Sequence, residues 1–121
     1  MWSRTVETPV KLGYATNRGS VDGNVVPADD GTKPTFPVFS ERTDVGTTIN
    51  ADSTVAIVTD SDDREIYVVL GATVTEFDFG MSDANGKWIH ATTGNYVGVQ
   101  FLQSGVAGDV VKARPAQLKL P

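Results

Sequence analysis

The sequence predicts an all-β fold, a small β-sandwich or β-barrel of about 6–8 short, mostly antiparallel strands behind an extended, loop-rich N-terminal arm. Three observations lead there. From Asp52 onward, runs of β-branched and aromatic residues recur at spacings of roughly ten, each bounded by a Gly, Asp or Asn cluster. No window of helical length carries an apolar stripe at i, i+3, i+4 and i+7, so almost no helix is expected. The stretch "DANGK" sets Asn85-Gly86 between two strand candidates, the strongest short-range hairpin signal, because both residues tolerate a positive φ.

Residues 1–45 read as the arm. "NRGSVDGNVVPADDGTKPTFPVF" is dense in turn-forming residues, and Pro27, Pro34 and Pro37 each remove a backbone donor. Only Val25-Val26 and Val38-Phe39 look able to pair in a sheet. The apolar residues Trp2, Tyr14, Phe36 and Phe39 are too many for a solvated tail, so an arm lying on a neighbour is expected. Residues 46–121 form the core of what is one domain overall. Its strand candidates are "STVAIVTD", "REIYVVLG", "ATVTEFDF", "KWIHATT", "YVGVQFLQ" and "DVVKARPAQLKL". Alternation places Ile89, Ala91, Val97, Val99 and Phe101 on the core face. Trp88, His90 and Tyr96 then fall on the opposite face beside Gly98, either as a contact surface or under a second layer.

Composition restricts the chemistry. The chain has no cysteine, hence no disulfide, thiolate metal site or cysteine nucleophile. Its single histidine, His90, sits mid-strand, and no Gly-x-Ser-x-Gly elbow presents a serine. "DSDDRE" from Asp60 to Glu65 is the best calcium candidate, yet it puts Arg64 where an oxygen ligand belongs, and an acidic hairpin tip is the commoner explanation. "GVAGDVV" lacks the Lys-Ser/Thr of a phosphate loop and leads into a strand. Glu76 and Asp78 would share a strand face, a weak hint of paired carboxylates. The expectation is a binder or scaffold, with no catalytic residue, cofactor or metal.

Net charge is −5, with eight acids and one base from Gly46 to Gly86, then four bases and one acid from Lys87 to the end. That polarity suits docking through one side, or simply two solvated strand faces. It does not suit nucleic acid. No apolar run reaches the roughly 20 residues that span a bilayer, so no membrane role is expected. The N-terminal residues lack a secretory pattern, which points to synthesis in a cytosol-like compartment.

The stretch from Phe77 to Val111 resembles the capsid decoration, or cement, proteins of tailed bacteriophages. The resembling residues are the Asp83–Gly86 turn with a short strand ending in Ala91-Thr92, the Val97-Gly98-Val99 strand, and the Ala107-Gly108-Asp109-Val110-Val111 ending. The resemblance implies a structural protein on the outside of the virion capsid, made in the host cytoplasm. Its partners would be the major capsid protein and sister copies in a dimer or trimer. The expected partner-binding residues are Trp2, Tyr14, Phe36, Trp88, His90, Tyr96, Lys112 and Arg114, with Trp88 mattering more than His90. The alternative is a carbohydrate- or cell-surface-binding module of a phage tail or spike, with Trp88 and Tyr96 stacking on sugars.

Overall fold

A computed structural model describes all 121 residues and bears out the all-β class. Twelve strands run in order: β1 (Trp2–Val6), β2 (Val10–Lys11), β3 (Ala15–Arg18), β4 (Asn24–Pro27), β5 (Phe36–Pro37) and β6 (Thr48–Ile49). They continue with β7 (Thr54–Ile57), β8 (Ile66–Val69), β9 (Phe79–Ser82), β10 (Trp88–His90), β11 (Tyr96–Phe101) and β12 (Val110–Lys119). One five-stranded sheet has the order β5-β3-β4-β1-β7, another β10-β9-β11-β12-β8, and β2 with β6 forms a ribbon. Both large sheets curl until their edges meet. Val38, just past β5, bridges Ile57 of β7, and Leu70, just past β8, bridges Trp88 of β10. Neither sheet therefore presents a long unpaired edge as an adhesive.

The first correction concerns residues 1–45. They are loop-rich between β4 and β5 and after β5, as expected, but they are not an extended arm. Strands β1, β3, β4 and β5 build most of the first sheet, and the later β7 completes it by pairing antiparallel with β1. The boundary after residue 45 thus divides the chain on paper only. Proline misled the sequence reading because its positions are harmless here: Pro27 ends β4, and Pro37 sits in a two-residue strand. Strand β3 also carries little apolar signal, because its buried Thr16 and Asn17 are polar and are satisfied by hydrogen bonds.

Each curled sheet has its own core. Val6, Val10, Val25, Val38, Val55 and Ile57 fill the first. Ile66, Val68, Leu70, Val74, Trp88, Val99, Phe101 and Val111 fill the second, joined by Ala15, Ala28 and Val58 from the N-terminal half. Polar contacts cross the same junction. The Ser40 hydroxyl donates to the Tyr67 carbonyl at 2.9 Å. Gln117 of β12 accepts from the Asp60 N–H at 2.5 Å across the junction, while donating to the Gly98 carbonyl of its own sheet at 2.9 Å. Gln117 can reach because β12 bulges there: Val97 pairs Leu118 but Val99 pairs Pro115, leaving an extra residue on β12 beside a proline that has no N–H to satisfy.

The Asn-Gly hairpin forms between β9 and β10. Asp83 Oδ1 accepts from the N–H groups of Asn85 and Lys87 at 2.8 and 3.0 Å, and Gly86 takes φ +79°. The run "ATVTEFDF" was expected to be one strand, but it is mostly a turn, with only Phe79 entering β9.

Glu7 ties the β3–β4 hairpin to the end of β1. Its carboxylate accepts from the Ser20 hydroxyl at 2.7 Å, from the Ser20 N–H at 3.1 Å and from Asn24 Nδ2 at 3.4 Å. The Ser20 hydroxyl first, then its N–H, holds the Glu7 pKa below the ordinary 4.5. A depressed acid pKa contributes stability that is present above the unfolded value and lost as pH falls through the folded one. Glu7→Gln should therefore lower stability at neutral pH, with the difference from wild type shrinking as pH falls below the ordinary glutamate value and vanishing only below the depressed folded one. Parallel denaturation curves across that window check it; a gap that persists at acid pH would rule out the carboxylate as the cause.

Candidate interaction surfaces

The second correction is Trp88. Expected opposite the core face and counted among the partner-binding residues, it is fully buried in the second core, and its indole Nε1 donates to the Gly13 carbonyl at 3.0 Å. Alternation fixes two faces within a strand but not which face of β10 continues which face of β11. Those strands are not neighbours, because β9 lies between them. Pairing Trp88 with Ser82, and Gly80 with Val99, carries the Trp88 face onto the core side of β11. Ile89, expected inside, is instead half-buried on the outer face. The second-layer reading holds for Trp88 alone, with the N-terminal half as its cover, since His90 is exposed and Tyr96 only half-buried. Sugar stacking on a Trp88–Tyr96 pair loses one of its two rings.

Three of the other expected residues do come together. Trp2 is 48% exposed and tilts against Phe36, ring centroids 6.4 Å apart at 42°. Phe36 in turn shares a shallow cleft with Tyr96 and Leu118 of the second sheet. An aromatic ridge therefore crosses from one sheet to the other. Cations sit on it: the Arg4 guanidinium lies 4.9 Å from the Trp2 ring centroid, and Lys119 Nζ 5.4 Å from that of Tyr96. Such contacts hold the rings in place and give an apolar strip a positive rim.

The rest lie elsewhere. Tyr14 is half-buried, faces Lys11 at 5.3 Å, and lines a small hollow beside the Asn85-Gly86 turn. His90 is exposed, with Nδ1 3.3 Å from Asp78 Oδ2. Lys112 Nζ reaches Glu65 at 4.0 Å, and Arg114 donates to Gln100 at 2.8 Å. Because β12 pairs with β8, Arg114 borders the same open cleft as Asp60, Asp62, Asp63 and Glu65. The acidic block and the basic end therefore meet along one sheet, so they do not form two separate docking faces. Within the acidic block, Asp62 is committed to its turn, accepting from the Thr59 N–H at 2.9 Å and from the N-terminal amine at 2.6 Å.

No protein-family model and no curated protein matches this chain.

One surface feature escaped the sequence reading. Residues 74–79 and 105–110 form twin turns. Asp78 accepts from the Thr75 N–H at 3.0 Å, and Asp109 from the Val106 N–H at 2.9 Å. The two turns are tied to each other by the Val74–Gly105 bridge and by the Glu76 N–H donating to Ser104 Oγ at 2.9 Å. The residue before the aspartate is left-handed in both, Phe77 at φ +72° and Gly108 at φ +90°. Phe77 is 60% exposed and Val106 55%. Aligning "VTEFDF" with "GVAGDV" would have exposed the repeat, and with it the Phe standing where its twin has Gly. Asp78 is thereby employed as a turn cap, which removes the Glu76–Asp78 pair from a shared strand face.

Proposed function

We propose that this chain is a structural virion protein that binds the outer surface of a phage capsid, touching the major capsid protein and sister copies. The observation that carries the reading is the aromatic strip of exposed Trp2 and half-buried Phe36 and Tyr96, which crosses from one sheet to the other and is rimmed by Arg4 and Lys119. An exposed tryptophan beside a partly open aromatic cleft favours a partner surface, and the cationic rim favours one with carboxylates. The resemblance over Phe77–Val111 supplies the partner's identity, and it coincides with β9 through the start of β12. Repetition over a shell would compensate for modest affinity at each position.

The test is co-sedimentation with purified tailed-phage capsids that lack this chain. Wild type should sediment with the particles, and Trp2→Ala should bind them roughly tenfold more weakly, the loss typical of an exposed aromatic anchor. A wild-type chain that stays in the supernatant would sink the proposal.

A further inference from the structure

We infer that copies of this chain associate head to tail, the Phe77 ring of one seating in the cleft between Phe36 and Leu118 of the next. Phe77 motivates it. A bulky side chain in the left-handed region is a genuine outlier, and glycine, which the twin turn uses at Gly108, reaches that φ without steric conflict. The strained conformation holds the ring outward at the tip of a capped turn, 60% exposed, with Val106 on the adjoining turn. Such outliers persist where the surroundings hold them, and they concentrate at contact sites.

The receptor is on the same chain. Pro34, Phe36, Tyr96, Val97, Leu118 and Lys119 line a cleft of about 150 Å³. A cavity of roughly that size holds a benzene ring. Charge selects the orientation. Glu76 and Asp109 flank the exposed ring and Val106, whereas Lys119 lines the cleft and Lys33 precedes Pro34. Pairing two Phe77 turns face to face would set these acids against their own copies. Turn against cleft sets acid against base. The contact is then heterologous, closing into a ring or extending as a row according to its rotation. Trp2 and Arg4, at the far end of the ridge, stay free.

This inference extends the sister-copy part of the proposed function, but it is read by an experiment without capsids. Sedimentation velocity of the full chain at rising concentration should show association for wild type. Phe77→Gly and Leu118→Glu should each weaken it by roughly ten- to a hundredfold, the affinity that burial of one aromatic ring supplies. An equimolar mixture of the two variants should recover a dimer and nothing larger, since one retains the cleft and the other the ring. Phe77→Gly should melt at or above the wild-type temperature, which separates a lost contact from a lost fold. A wild type that is monomeric at millimolar concentration, a Phe77→Gly variant that associates normally, or a mixture that stays monomeric would each overturn it. A monomeric wild type that nevertheless coats capsids would leave the proposed function standing, and association without capsid binding would do the reverse.

Discussion

Replacing Trp88 by alanine should destabilise the fold by about 3–5 kcal/mol, the cost of emptying an aromatic site in a packed core. The indole is fully buried among residues of the second core and is joined to the N-terminal half through Gly13. Alanine removes the ring's contacts and leaves the Gly13 carbonyl without its donor. Trp88→Phe should retain most of the packing and isolate the hydrogen bond, at about 1–2 kcal/mol. Against a typical total of about 5–15 kcal/mol, the alanine variant would be marginal at physiological temperature. Urea denaturation of the three proteins measures it, and a loss below 1 kcal/mol for alanine would contradict the buried placement. Any fall in capsid binding by this variant then reports unfolding, which is why Trp2 and not Trp88 is the residue that tests the contact surface.

The second large effect is expected at Gly98. A Cβ there would lie 2.6 Å from Cη2 of the Trp88 indole and 3.1 Å from the Thr35 carbonyl oxygen. The carbonyl belongs to backbone and the indole is enclosed, so neither can move far. Gly98→Ala should cost about 1–3 kcal/mol, the usual range for overpacking a well-filled site. Coupling distinguishes this from a general strand effect. Combined with Trp88→Phe, whose smaller ring vacates the contested space, Gly98→Ala should cost less than it does alone, giving a favourable interaction term in a double-mutant cycle. Strict additivity would show that the indole is not what requires glycine.

The legible part of the fold was the part that alternates. From β7 to β12, Val, Ile and aromatic residues at every second position, with Asn85-Gly86 and the Gly-rich turns between them, announced the strands directly. The N-terminal strands were hidden because Thr16 and Asn17 are buried polar residues, carried by hydrogen bonds to the Phe36 and Pro34 carbonyls that lie about twenty positions away. A sequence pattern cannot display a partner at that distance. The same limit explains the ridge. Trp2, Phe36 and Tyr96 were each suspected for their ring alone, while their meeting depends on how two sheets pack. The Trp88 error came from carrying face assignments across strands that are not neighbours. Phe77 was missed for a different reason: a phenylalanine inside an apolar run reads as strand, and its left-handed backbone has no compositional mark.

The hydrogen bond between Trp88 and Gly13 spans 75 residues of chain. Strand β1 likewise waits for β7, and the second core includes Ala15 and Ala28. The first sheet therefore closes only once β7 has joined it, and the second core lacks part of its wall without Gly13, Ala15 and Ala28. Closure of these long loops costs entropy before any contact offsets it, so a topology with this many distant pairings is expected to fold slowly. Until Trp88 docks, the N-terminal half leaves Ala15, Ala28 and Val58 uncovered, and it is in that interval that the chain has most need of protection.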